Sequence, residues 1–316
     1  MTKPANLFAI GGWDPAPWVD AVRAGDPQRP LFVAPDVPDP GAIAYALAWK
    51  PARGAFANLA NLKAIFSLGA GVDHLVFRND LPDVPIVRVV DPDLTGRMVE
   101  WVVLQVLTHH RRQRLYDRQQ RERVWKERSQ PAAHAVRVGI MGMGVLGRAA
   151  ARALAGLGFQ VAGWSRRASS VPCVESFAGA DRLDAFLRRT DILVCLLPLT
   201  DATRGILAMP LFEKLARDVL PGMPVLINAG RGGLQVEADI VVALQDGILG
   251  GASLDVFEVE PLDPASPLWG MDNVVVTPHC AAASTASALV PAMLKQIADF
   301  EAGRALTNLV DRKAGY

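Results

Sequence analysis

Cysteine is scarce in this chain: Cys173, Cys195 and Cys280 are widely spaced and form no CxxC pair. They provide neither a disulfide framework nor a zinc-ligand set, so no metal is expected and a reducing cytoplasm is the expected compartment. Net charge is nearly absent, +1 over 316 residues, which leaves no global field to draw the chain to nucleic acid or an anionic membrane. Long apolar runs are missing too. No stretch approaches the roughly 18 continuous apolar residues that span a bilayer. The apolar part of the opening MTKPANLFAIGGWDP is too short for a signal-peptide core and reads as a first strand. Internal repeats and low-complexity tracts are also lacking. What remains is 51% hydrophobic and 21% charged, the make-up of a folded globular protein, and its length suits two domains.

The first part alternates strand-like runs, at residues 7–10, 43–49, 64–68 and 86–90, with Pro- and Gly-rich turns and short amphipathic pieces. Such alternation predicts a parallel sheet covered on both faces. From Val99 the apolar residues Val102, Val103, Val106 and Leu107 recur at helical spacing. That helix is expected to continue as a polar arm. Between Arg111 and Arg128 the arm carries eight basic residues against three acidic ones. Without aromatic interleaving it reads as a solvated, salt-bridged face and not as a nucleic-acid surface.

A more regular series begins at Val136. VRVGIM, FQVAGWS, DILVCLLP, PVLINAG, ASLDVF and NVVVTPH read as strands. GMGVLGRAAARALAGLG, DRLDAFLRR, PLFEKLARDV and VEADIVVALQDG read as the helices between them. The pattern predicts a doubly wound α/β domain. Residues 284–303 read as one further helix, short enough to cross back and complete the first domain.

Gly142-Met-Gly144-Val145-Leu146-Gly147 directly follows a strand and opens a helix. Gly142 permits the tight turn, Gly144 lets backbone approach a pyrophosphate, and Gly147 lets helix and strand pack closely. The helix N-terminus adds unpaired N–H groups and partial positive charge. An NAD site usually has an acid at the end of the second strand, about 20 residues on. Here that strand ends in Ser165-Arg166-Arg167. A hydroxyl and two guanidiniums suit the 2′-phosphate of NADP, with NAD as the weaker cofactor.

Reduction of a carbonyl needs a proton donor titrating near neutrality, and histidine is the usual choice. Of the five histidines, His279 alone sits at the C-terminal end of a strand of the doubly wound series. Arg231 follows Asn228-Ala229-Gly230 at another strand end, with small neighbours that leave room for a carboxylate beside its guanidinium. Glu260 lies on the loop after the next strand and is placed to orient an imidazole and stabilise its cation. Three complementary groups at three strand ends of one sheet make a candidate catalytic site.

These motifs resemble the D-isomer-specific 2-hydroxyacid dehydrogenase family, and within it the glyoxylate/hydroxypyruvate reductase A group. The matching residues are the Gly142 to Gly147 turn, Leu197-Pro198-Leu-Thr200 with Thr203, Asn228-Ala-Gly-Arg231-Gly-Gly, Asp255-Val-Phe with Glu260-Pro-Leu, and Thr277-Pro-His279. The resemblance implies a Rossmann NADP-binding domain over 99–280. A smaller flavodoxin-like substrate domain would be discontinuous, over 1–98 and 281–316. The active site would lie in the interdomain cleft, and a homodimer would form through the cofactor domain's long helix. It also implies that Arg231 grips the carboxylate and keto oxygen of a small 2-keto acid. His279 would protonate that oxygen while Glu260 holds His279. Leu197, Pro198, Ala229 and Asp255 would line the nicotinamide side, and Thr203 and Gly230 would also bind the cofactor. Backbone N–H groups around Ala70, Gly71 and Val72 would hold the substrate carboxylate, and Trp49 would cap the substrate. Two other outcomes follow from the same resemblance: a nucleotide-sensing, corepressor-like binding protein, and a family dehydrogenase acting on a bulkier 2-keto acid.

Overall fold

The computed structural model describes residues 3–219 and 224–316. The chain forms two compact units, Met1–Leu94 with Ser284–Tyr316, and Thr95–Ala283. In the first, β1 (Ala5–Ile10), β2 (Leu31–Val33), β3 (Ile43–Trp49), β4 (Ala64–Ser67) and β5 (Ile86–Val87) form a parallel sheet of order β2-β1-β3-β4-β5. This is the flavodoxin-like order. Central strand β3 reads IAYALAW and is buried along its whole length, because helices cover both faces of such a sheet. The helices here are α1 (Ala16–Gly25), the single turn α2 (Asp73–Val76) and a C-terminal helix, Ala286–Glu301. The C-terminal helix packs on α1, and Glu301 at its end takes a bidentate ion pair from buried Arg29 at 2.8 and 2.9 Å. The last residues then pair antiparallel beside β5, with Val310 N donating to Ile86 O.

The second unit begins on α3 (Pro92–His110) and α4 (Gln113–Glu122) and continues through β6 (Arg137–Met141), α5 (Val145–Gly156), β7 (Gln160–Ser165) and β8 (Val174–Ala178). It goes on with α6 (Leu183–Arg188), β9 (Ile192–Cys195), α7 (Met209–Phe212) and β10 (Val225–Asn228). It ends with α8 (Glu237–Gln245), β11 (Gly251–Leu254) and β12 (Val274–Val276). All seven strands are parallel, in the order β12-β11-β10-β9-β6-β7-β8. That is the Rossmann arrangement, with the strand order reversing between β6 and β9. One face of the sheet packs under Phe186, Phe212, Leu244 and Leu268, and the other under Val102, Val106, Ala150 and Leu154.

Several expectations change. The basic arm does not continue the long helix, because Arg112 adopts a left-handed φ of 54° and starts a separate helix. That helix buries little beyond Gln119, so no apolar stripe holds it in register with α3. Its arginines do form a salt-bridged face: Arg118 and Arg121 pair with Asp272 at 3.8 and 3.4 Å. The helix expected over 210–219 is confined to Met209–Phe212, since Ala216 N donates to Thr190 O instead of continuing the helical ladder. Strands β2 and β8 escape the sequence reading. β8 buries only Phe177, so it lacks the apolar run that marks its neighbours. No helix among the described residues is long and apolar enough to cross a membrane.

One half-buried histidine makes stability pH-dependent. His109, at the end of α3, donates from Nε2 to Ser253 Oγ at 2.9 Å, and Ser253 donates to Gln105 Oε1 at 2.9 Å. Burial pushes its pKa down to about 4. The unfolded chain therefore takes up a proton near pH 6.5 that the folded protein refuses until about pH 4. Stability falls across that window, by up to about 3 kcal/mol at roughly 1.4 kcal/mol per unit of difference. Urea unfolding at several pH values should show this decline. His109→Gln should flatten it, and an unchanged slope would assign the decline to other groups.

Candidate active site

The phosphate turn sits at the reversal point of the sheet. Gly142 ends β6 with φ at 102°, and a Cβ there would stand 2.6 Å from Leu196 O on the segment after β9. Only glycine adopts that backbone without strain and leaves room for the neighbouring chain. Gly144 is the N-cap of α5, and the space where its Cβ would project is open. A Cβ on Gly147 would collide with Gly142 O, so α5 lies tight against the turn. Val145 is exposed and Leu146 half-buried at the start of that helix. These features form a cradle for a pyrophosphate.

At the end of β7, Arg166 and Arg167 are exposed and follow directly on Ser165. Ser165 Oγ donates to Arg167 O at 2.6 Å, curling the loop that carries the guanidiniums. Beyond β9, Leu197 is buried and Pro198 half-buried. Thr203 Oγ1 donates to Pro198 O at 2.7 Å and accepts from Thr200 N at 2.8 Å, closing that loop on itself.

The loop after β10 is held from beneath. Asn228 Oδ1 accepts from Gly230 N at 3.0 Å, and Asn228 Nδ2 donates to Gln235 Oε1 at 2.8 Å. Gln235 in turn donates to Val256 O at 3.0 Å, beyond β11. A Cβ on Gly232 would collide with Phe257 O. The loops bearing Arg231 and Glu260 are thereby pressed together by buried amides and a missing side chain. Arg231 itself is half-buried, with Nη1 donating to Gly230 O at 2.8 Å. Sequence reading took Asn228 as part of a motif and missed Gln235. An isolated glutamine two residues beyond a pair of glycines carries no pattern of its own.

Glu260 and His279 meet. His279 Nδ1 lies 2.9 and 3.0 Å from the two carboxylate oxygens, while Phe257 N donates to Glu260 Oε1 at 3.3 Å. A carboxylate only accepts, so the neutral ring carries its proton on Nδ1 and its lone pair on Nε2. The two side chains are 32% and 28% exposed, which leaves the ring open to a ligand.

His279 has a left-handed φ of 53°, a costly conformation for a residue with a Cβ. Buried Asp255 holds it. The Asp255 carboxylate accepts from Thr277 Oγ1 at 2.6 Å, Cys280 N at 2.9 Å and Ala281 N at 2.9 Å, while His279 N donates to Asp255 O at 2.8 Å. Its oxygens thus serve the turn that carries the histidine. Burial, with Asp255 beside it, raises the pKa of the adjacent Cys280 thiol. Burial pushes Cys195 to about 12.

Asp255→Asn would face a buried amide N–H₂ toward backbone donors. An unsatisfied buried group costs about 1–3 kcal/mol. The variant is expected to fold with a lower urea midpoint and a lower kcat, while cofactor affinity measured by calorimetry changes little. A kcat equal to wild type would show that the turn holds His279 without this carboxylate.

In the first unit, the Ala70, Gly71 and Val72 segment links β4 to α2. Trp49, 8% exposed at the end of β3, lies across Gly69, where a Cβ would collide with its ring. Trp49 is therefore packed in place beside that segment.

The family model described as the NAD binding domain of D-isomer specific 2-hydroxyacid dehydrogenases matches residues 103–281. Glyoxylate/hydroxypyruvate reductase A of Escherichia fergusonii is 38% identical over 316 residues, covering 98% of this chain and 99% of the relative. The chain belongs to the D-isomer specific 2-hydroxyacid dehydrogenase family. Among solved members, the NADPH-dependent glyoxylate/hydroxypyruvate reductase of Sinorhizobium meliloti, in complex with NADP and sulfate, is 50% identical. It superposes with a TM-score of 0.95 over 99% of this chain and 100% of its own. A family enzyme of Xanthobacter autotrophicus Py2, in complex with NADPH and MES, is 41% identical with a TM-score of 0.94, over 99% and 100% of the two chains.

Proposed function

We propose that this chain is an NADPH-preferring reductase of small 2-keto acids, glyoxylate and hydroxypyruvate among them, yielding D-2-hydroxy acids. The observation that carries the reading is the Glu260–His279 pair, a carboxylate holding an imidazole whose Nε2 is left for a substrate. The glycine cradle at α5 suits the pyrophosphate of a dinucleotide, and Arg166 and Arg167 suit a 2′-phosphate where an acid would serve NAD. The identities and bound cofactors of the Sinorhizobium and Xanthobacter enzymes support the same reading.

When bound, NADPH supplies the hydride that reaches the keto carbon. The protein's own work is binding and proton delivery. First-turn N–H groups of α5 hold the pyrophosphate, and Leu197, Pro198, Ala229 and Gly230 line the nicotinamide side. Arg231 grips the substrate carboxylate and keto oxygen through its planar fork. His279 Nε2 gives a proton to that oxygen, and Glu260 stabilises the imidazolium beforehand. The neutral ring then regains its proton from water, so each turnover consumes one proton. The N–H groups around Ala70, Gly71 and Val72 are proposed to serve the same carboxylate, with Trp49 beside them. In this reading residues 99–280 form the cofactor domain, while 1–98 and 281–316 form the substrate domain. A homodimer through α3 and a cytoplasmic location complete it.

Consumption of NADPH with glyoxylate, set against NADH, tests the proposal. Neutralising both Arg166 and Arg167 is expected to lower kcat/KM for NADPH about 10–100-fold, given about 1.5–3 kcal/mol for a charge-assisted hydrogen bond. NADH turnover should change little. Equal use of the two cofactors by the wild type would refute the NADP assignment, and no turnover with any 2-keto acid would refute the reaction.

A further inference from the structure

Strand β1 ends at Ile10, and the chain turns through Gly11 and Gly12 to Trp13. Gly11 N donates to Trp49 O at 2.8 Å, and a Cβ on Gly11 would collide with Lys50 O. The ends of β1 and β3 thus meet with no side chain between them. Gly12, with φ at 78°, turns the chain so that the Trp13 indole lies on that of Trp49. Their centroids are 4.6 Å apart and their planes within 16°. Trp18 from α1 stacks on Trp13 in turn, at 5.7 Å and 10°. The His74 ring from α2 stands 4.6 Å from Trp49 at 59°, and Gly69 closes the remaining side. Ser67 Oγ donates to Gly69 O at 2.8 Å, fixing the segment that runs on into Ala70, Gly71 and Val72.

The Trp49 indole is consequently clamped by a ring on one face, a second ring at an angle and backbone at its edge. Aromatic pairs of this geometry contribute beyond their buried area. A large flat side chain so enclosed cannot change rotamer without displacing its neighbours. Trp13 is half-buried.

We infer that Trp13 is a positioning residue for substrate selection. It locks Trp49 as a rigid wall beside the carboxylate-binding segment and restricts the enzyme to 2-keto acids whose side chain is hydrogen or a one-carbon group. Aryl and branched keto acids are excluded because the wall does not yield. The inference rests on the reductase reading and on the 70–72 segment as carboxylate site.

The test compares kcat/KM for glyoxylate and for phenylpyruvate in wild type, Trp13→Ala and Trp13→Phe. With the stack removed, Trp49 gains room to swing. The phenylpyruvate-to-glyoxylate ratio should then rise about 10-fold or more, a change of the size that pocket dimensions impose on specificity. Trp13→Phe keeps a stacked ring and should keep the wild-type ratio. A purely structural role would lower both values together and leave the ratio unmoved, overturning the inference even where Trp13→Ala is less stable. Calorimetric binding of the same two acids separates this from failure of the reaction itself. Loss of size discrimination in binding without turnover upholds the wall and sinks the reductase assignment. An unmoved ratio in an active enzyme does the reverse.

Discussion

Replacing His279 with alanine is expected to slow 2-keto acid reduction by about 10²–10⁴-fold, the usual worth of a positioned acid. The cofactor turn lies at the end of β6, so dinucleotide binding by calorimetry should survive. Reduction consumes a proton and needs the imidazolium, whereas oxidation of the hydroxy acid needs the neutral ring. In the wild type, kcat/KM for reduction should therefore fall with rising pH, and that for oxidation should rise. Both limbs should vanish in His279→Ala. Glu260→Gln keeps the shape of the Nδ1 partner while removing its charge. It should lower kcat for reduction, because a neutral amide stabilises the imidazolium less. An alanine variant within a few-fold of wild type, or limbs that persist without the ring, would place the proton donor elsewhere.

Arg231→Lys is expected to cost about 10–100-fold in kcat/KM for the keto acid. Lysine keeps the charge but replaces a planar pair of donors with one compact ammonium, and losing a charge-assisted bond is worth about 1.5–3 kcal/mol. If the guanidinium binds the keto oxygen more strongly as charge develops there, kcat falls along with a rise in KM. A rise in KM alone would limit Arg231 to gripping the carboxylate. Because the Arg231 loop is held by Asn228 and Gln235, the lysine variant should retain the wild-type unfolding midpoint. Near-normal kinetics would make Arg231 a surface residue and remove it from the site.

The doubly wound series was legible because each strand except β8 is a short apolar run bounded by glycine, proline or a helical pattern, and β10 and β11 are buried along their whole length. The strands that escaped, β2 and β8, are the edges of their sheets, where one side needs no apolar residues. The break between α3 and α4 was missed because it rests on one residue, Arg112, in a left-handed conformation that its polar surroundings do not announce. Among the candidate site residues, strand-end placement could be read directly from motif and order. Their supports could not. Gln235 acts through Asn228 and Thr277 through Asp255, and although Thr277 belongs to a motif, neither partner can be read from the sequence. Asp255 reads as a residue beside the nicotinamide, yet its carboxylate is spent on the His279 turn.

The sequence by itself determined which chemistry-bearing residues stand at the ends of which strands. Periodicity and glycine placement are local properties, and right-handed crossovers leave a parallel sheet few alternatives. It also determined that no acid follows the second strand of the doubly wound series, since that is a matter of residue identity at one position. Only the tertiary structure decided that Glu260 touches His279 Nδ1, and hence which ring nitrogen the carboxylate engages. It alone decided that a left-handed His279 is held by Asp255, and that Trp13 rests on Trp49. Those contacts join segments that lie far apart in the chain and meet at atomic distances. Side-chain packing at that precision depends on every neighbour at once, which no periodicity in a single strand of sequence encodes.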